Sequence, residues 1–217
     1  MRFRDRTDAG IQLADELRRL DLDDPLVLAL PRGGVPVGFQ IATALDAPLE
    51  VFVARKVGAP GHAEFGIGAI AENGVRIADA AALRALGVSA EDFDALAAIE
   101  QHELERRVRH YRGERLLPDL ERRDVVLVDD GLATGVTAEA ALRALRLRRP
   151  RRLILAAPAC ASDTAARLRG LADDVLCVLE PEDFLAVGRW YDIFDQTTDA
   201  EVLSLLDRAA SALGRRP

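Results

Sequence analysis

With 217 residues, 49% hydrophobic and 30% charged, at a mean hydropathy of +0.02, the chain has a globular composition. That excludes collagen-like, mucin-like and disordered chains, and the length can bury a core without covalent staples. A net charge of −7 argues against generic nucleic-acid binding but leaves room for a local anion site. The opening residues, MRFRDRTD, place no apolar run behind their positive charges, so no secretory signal is expected. A first helix is predicted from Thr7, with Leu13, Ala14, Leu17 and Leu20 on one face. Leu26–Leu30 and Leu49–Ala54 read as strands, with Pro36–Leu45 helical between them. Gly66–Ala71 and Val75–Ile77 are expected to pair as a hairpin around Asn73-Gly74, a favoured two-residue turn. Ser89 with Asp92 makes a capping box that opens a long helix to about His110. Val125–Asp129, Leu153–Ala157 and Val175–Leu179 are further strands, with a helix over 135–147 after the first of them. Thr198 with Glu201 is a second capping box and opens a C-terminal helix to about residue 213.

Short apolar strands alternating with helices predict an α/β fold with an open, mostly parallel twisted sheet flanked by helices. The longest uncharged stretch, 33–45, is too short to cross a bilayer, so no membrane partner is expected. Cys160 and Cys177 form no CxxC motif, and only three histidines occur. Neither a disulfide nor a zinc site is expected; the two cysteines read as small core residues in a reducing cytoplasm.

In open α/β sheets ligands bind beyond the carboxyl ends of the strands. Three such ends share a chemistry: Arg32-Gly33-Gly34, Arg55-Lys56, and Asp129-Asp130-Gly131. Lys56 is the sole lysine among 29 basic residues. In a chain that otherwise uses arginine, it marks a position where a compact point charge is needed. Residues 125–137, VVLVDDGLATGVT, combine a strand, a glycine-bearing turn and a helix N-terminus, whose first N–H groups point outward toward an anion. Thr134 and Thr137 add hydroxyl donors, while Asp129 and Asp130 suit the hydroxyls of an attached sugar better than a phosphate. Alternation along a strand puts the two carboxylates on opposite faces, so they need not share a proton. The set suits a sugar phosphate.

VVLVDDGLATGVT resembles the phosphoribosyl pyrophosphate (PRPP) motif of type I phosphoribosyltransferases, and Asp129, Asp130, Thr134, Gly135 and Thr137 match it. The resemblance implies that Asp129, Asp130, Gly131, Ala133, Thr134, Gly135, Val136 and Thr137 hold the ribose phosphate. It implies that Arg32, Gly33 and Gly34, with Arg55 and Lys56, meet pyrophosphate. One domain over 1–217 would then carry a flexible flap at about 57–71, a helical insertion at about 78–122 and a hood at about 180–198. Glu72 is the candidate for handling the acceptor's proton, with Arg55 and Lys56 as catalytic cations. PEDFLAVGRWYD, residues 181–192, is similar to the base-binding hood of 6-oxopurine enzymes and offers Phe184, Val187, Trp190, Tyr191 and Asp192 to an acceptor. Either Phe184 or Trp190 would stack on a ring, and Asp192 would read an edge. Ala133, however, matches the adenine enzymes. The implied cofactor is Mg²⁺, without dedicated protein ligands, carried by PRPP near Asp129 and Asp130. The implied partners are PRPP and a small acceptor, with a homodimer possible and the long helix a packing or dimer face. Two alternatives stay open: a PRPP- or nucleotide-binding regulator without turnover, and a hydrolase that uses water.

Overall fold

The computed structural model describes residues 2–214, apart from the side chains of residues 63 and 64. In chain order the elements begin α1 (Arg6–Leu17), β1 (Leu26–Ala29), α2 (Gly34–Leu45), β2 (Leu49–Val51) and β3 (Ala54–Ala59). They continue with β4 (His62–Ala71), β5 (Val75–Ala78), α3 (Ala80–Leu86), α4 (Ala90–Arg112) and β6 (Asp124–Val128). The last are α5 (Val136–Arg146), β7 (Arg152–Ala159), α6 (Ser162–Leu168), β8 (Asp174–Leu179) and α7 (Asp199–Leu213).

Five strands form one parallel sheet in the order β2-β1-β6-β7-β8. Its strands read as continuous apolar runs because helices cover both faces. Leu26, Leu28, Val125, Leu127, Leu153 and Leu155 pack on the face under α5 and α6. Their neighbours Val27, Val126, Val128, Ile154 and Ala156 pack under α1 and α2. The fold is the expected α/β architecture. The helix caps lie where the sequence puts them: Ser89 and Asp92 make a reciprocal capping box on α4, and Thr198 accepts from the Glu201 amide on α7. Among the described residues no helix is long and apolar enough to cross a membrane.

Four expectations change. The strand expected over 49–54 divides: β2 ends at Val51, and Ala54 begins a separate antiparallel sheet, β3-β4-β5. The strand expected from Gly66 begins at His62, so residues 57–71, expected as a flexible flap, are built as the β3–β4 hairpin, with Pro60 and Gly61 (φ +72°) at the tip and irregular register at Gly58. Pro fixes φ at one turn position and Gly tolerates positive φ at the next. The Asn73-Gly74 turn contains three residues rather than two, Glu72–Gly74, with both Asn73 and Gly74 at positive φ. Cys160 and Cys177 are joined by a disulfide, which corrects the reading of two free core thiols. Burial alone cannot separate a core thiol from a paired one; here Cys160, directly after β7, meets Cys177 within the adjacent strand β8.

Within the segment 78–122, α4 lays Phe93, Ala97 and Leu104 against Val57, Ile67 and Ile70 of the small sheet. The long helix is thus a packing element that fixes one face of the β3–β4 hairpin, while α5 supports the other.

Candidate functional site

The carboxyl ends of β1 and β6 lie side by side, because Ala29 and Val128 are register partners. The chain after β1 turns at Pro31–Arg32, a cis peptide, and enters α2 at once. Only glycine fits this turn. A Cβ on Gly33 would lie 2.0 Å from Asp130 Oδ2, and one on Gly34 would lie 2.6 Å from the Val128 carbonyl oxygen. The Arg32-Gly33-Gly34 loop and the acidic pair are therefore in direct apposition.

After Asp130 the chain is held along β7: the Leu132 amide donates to the Ala159 carbonyl at 2.8 Å, and the Ala161 amide donates to the Leu132 carbonyl at 2.8 Å. The Thr164 hydroxyl donates to the Ala133 carbonyl at 2.6 Å. Gly135 then takes φ +65° and starts α5 with no side chain capping the helix. The first N–H groups of this 11-residue helix therefore receive no side-chain cap from its N-cap residue. Thr134 is exposed, and Val136 and Thr137 are half-buried around the same turn.

Asp129 and Asp130 are closer than alternation predicts. Both follow the last residue of β6, where the pleat no longer dictates direction. Burial pushes the Asp129 carboxyl well above the ordinary carboxylate range, and the neighbouring Asp130, within hydrogen-bonding reach, pushes it further.

Arg32 faces α7, with Nη1 3.9 Å from Asp199 Oδ1. Asp199 also accepts a short hydrogen bond from the Tyr111 hydroxyl at the end of α4. That bond, with lesser help from Arg32, holds the Asp199 carboxyl below its usual range. Burial, and then Asp199, lifts the Tyr111 hydroxyl to about 12. Arg55 and Lys56, expected to act together, are separated by strand alternation. Arg55 points to α4 and pairs with Glu100 at 2.6 Å and Glu103 at 3.9 Å. Lys56 lies on the opposite face, shared with Ala54 against α5, and its methylenes pack on Gly66.

Glu72 is not presented to an acceptor. It is buried, its Oε1 accepting from the Val53 amide at 2.8 Å and its Oε2 from Arg112. The hood also departs from expectation. Tyr191 is buried between Phe3 and Phe194, and its hydroxyl donates to the Asp130 carbonyl at 2.6 Å. It cannot stack on a ring in this arrangement; it fastens the acidic loop. Phe184 and Trp190 stack on each other, with centroids 5.9 Å apart. Val187 closes over Gly131, where a Cβ would meet its Cγ1 at 2.4 Å. Asp192 is exposed and lies 3.9 Å from Arg2.

Two cations at the site carry no sequence signal. Arg6, at the start of α1, donates from Nε to Asp130 Oδ2 at 2.8 Å across 124 residues. Arg167 of α6 donates to the Thr134 carbonyl at 2.5 Å and pairs with Glu139. Both sit among ordinary charged residues on helices, so only the tertiary arrangement reveals them.

A family model described as phosphoribosyl transferase domain matches residues 4–189. Two Mycobacterium tuberculosis proteins, from strains CDC 1551 / Oshkosh and ATCC 25618 / H37Rv, each named "Putative phosphoribosyl transferase", are 45% identical over 207 residues. The match covers 95% of this chain but 47% of theirs, so the chain spans about half the length of these curated relatives. The crystal structure of TT1426 from Thermus thermophilus superposes with a TM-score of 0.81 at 42% identity, covering 95% of this chain and 98% of that one.

Proposed function

Because the chain belongs to the phosphoribosyl transferase domain family, we propose that it moves the ribose 5-phosphate group of PRPP to a ring nitrogen of a nucleobase-like acceptor, releasing pyrophosphate. The observation that carries this reading is the apposition of Gly33 to the Asp130 carboxylate. It unites an anion loop, a pair of carboxylates and an uncapped helix N-terminus at adjoining strand ends. The α5 N-terminus and Thr134 and Thr137 take the 5-phosphate. Asp129 and Asp130 accept from the ribose hydroxyls. The Gly33-Gly34 backbone, Arg32 and Lys56 receive the departing pyrophosphate, and the β3–β4 tip closes over it. The acceptor enters from the hood side, beside Val187 and the Phe184–Trp190 stack. Bond cleavage at C1 develops oxocarbenium character, so the protein contributes positioning and charge stabilisation rather than covalent chemistry.

The donor set fits Mg²⁺ as an ion brought with its substrate. Asp129 and Asp130 offer hard carboxylate oxygens beside the ribose site, the donor type a small hard cation takes alongside its substrate's phosphates. When bound, Mg²⁺ would neutralise charge on the pyrophosphate.

Two measurements test the reading. Calorimetry with PRPP and Mg²⁺ should show binding to the wild type, weakened at least tenfold in Asp129→Asn/Asp130→Asn. Hydrogen bonds to charged acceptors contribute roughly 1.5–3 kcal/mol each. Equal affinity in the double variant removes the ribose assignment. A panel of bases with PRPP should yield one nucleoside monophosphate together with pyrophosphate. Pyrophosphate without a nucleotide would mean water is the acceptor, and binding without turnover would mean a regulator.

A further inference from the structure

We propose that Arg6 is a positioning residue for the ribose-binding carboxylate, through which the N-terminal segment and the hood together hold Asp130 in its substrate-accepting orientation. The proposal rests on the phosphoribosyl transfer reading and extends it to a residue outside the family motif.

The N-terminal segment is bonded to the hood like an added strand. The Phe3 amide donates to the Trp190 carbonyl at 2.8 Å, and the Asp192 and Ile193 amides donate to the carbonyls of Phe3 and Arg4 at 2.9 Å each. Phe3 is fully buried there against Tyr191. This docking fixes where α1 begins, and Asp5 caps it by accepting from the Asp8 amide at 2.8 Å. Arg6 is the first residue of that helix.

Three contacts lock its guanidinium. Nε donates to Asp130 Oδ2 at 2.8 Å, Nη1 donates to the Asp195 carbonyl at 2.7 Å, and Cζ lies 3.9 Å over the Phe194 ring. The Arg6 and Asp130 side chains are only 13% and 15% exposed, so the pair is well shielded from screening. Tyr191 secures the backbone of the same aspartate. Asp130 is thus gripped at its carbonyl and at one carboxylate oxygen, both times by residues of the hood and N-terminal unit.

The physical need is plain. Two adjacent carboxylates in a half-buried loop repel each other, and an unbraced Asp130 would turn away from its neighbour. A guanidinium on Oδ2 offsets the repulsion and holds the carboxylate in place to accept a ribose hydroxyl. An Arg suits this task because its planar group donates, stacks and stays charged.

The test is calorimetry of PRPP with Mg²⁺ on the full chain, using wild type, Arg6→Gln, Arg6→Lys, Asp130→Asn and the Arg6→Gln/Asp130→Asn pair, each checked by thermal unfolding. Arg6→Gln should weaken PRPP at least tenfold while remaining folded, and Arg6→Lys should recover part of that loss. In the Asp130→Asn background, adding Arg6→Gln should change affinity by less than about twofold, since coupled residues are not additive. Wild-type affinity in Arg6→Gln, no recovery in Arg6→Lys, or an equal loss in the Asp130→Asn background overturns the proposal. A wild type that does not bind PRPP overturns the phosphoribosyl reading itself, and the role of Arg6 with it.

Discussion

Glu72 and Arg112 are 40 residues apart, yet they share an ion pair whose side chains are under a tenth exposed. The family resemblance makes Glu72 a candidate for proton handling, but in the fold it braces the small sheet to α4 and to Val53. Removing one partner of a buried pair strands a charge, which costs about 3–5 kcal/mol, whereas replacing both with apolar groups is often near neutral. Glu72→Ala should therefore lower unfolding free energy by about 3 kcal/mol in urea titrations. Glu72→Leu with Arg112→Leu should recover most of it. A Glu72→Ala protein as stable as wild type would show that the pair contributes little and would reopen Glu72 for chemistry. Gln101 Oε1 and Arg112 Nε, both buried without a hydrogen-bond partner, belong to the same helix.

The β3–β4 hairpin depends on close approach between elements. Gly68 lies where β4 passes under α4. A Cβ there would stand 2.3 Å from the Ile77 carbonyl oxygen and 2.6 Å from Phe93 Cε2. Backbone on one side and a buried ring on the other leave nothing flexible to yield, and overpacking of this kind typically costs about 1–3 kcal/mol. Gly68→Ala should lower Tm by several degrees and loosen α4 from the hairpin, read as faster hydrogen exchange at Val57 and Ile70. Unchanged exchange at both would show that α4 does not hold that face. Because β3 carries Lys56 on its other face, the same variant also tests whether α4 steadies the proposed pyrophosphate contact.

Across the described residues, seven carboxylates displaced from their ordinary range fall into two groups with opposite pH signatures. Asp5, Asp92, Asp173 and Asp199 are held below the usual range, and Glu103 is lowered to about 2 by hydrogen bonds from Arg106 and then Arg107. Their stabilisation is present above the unfolded carboxylate pKa, roughly 4, and is lost as pH falls toward about 2. Glu50 and Asp129 are raised, each chiefly by burial, so they favour the folded state most when protonated and lose that contribution as pH climbs through and above the same range. The acid limb of a Tm-against-pH curve should therefore be shallower than the lowered group alone would give. In Asp129→Asn it should steepen, with Tm at pH 7 above wild type. A variant with Tm at or below wild type at pH 7 would mean that Asp129 carries no burial penalty. The Cys160–Cys177 link closes a loop of 17 residues and adds a redox-dependent share, about 3 kcal/mol for a loop of that size.

Local chemistry wrote much of this protein into its sequence. Apolar runs, capping boxes and the 125–137 motif depend on residues within a turn or two of one another. They locate the sheet, the long helix, the C-terminal helix and the β6–α5 loop of the proposed phosphate site, because side-chain periodicity and cap hydrogen bonds act over short separations. The apposition of Gly33 and Asp130 arises because β1 and β6 are neighbours, a pairing of segments about a hundred residues apart. Arg6 on Asp130, Arg112 on Glu72, Tyr191 on the acidic loop and the joined cysteines are contacts of the same long-range kind. A charged or aromatic residue on a helix or loop has one sequence signature whether it meets solvent or a site. What it meets is settled only when packing of the apolar faces brings distant elements together.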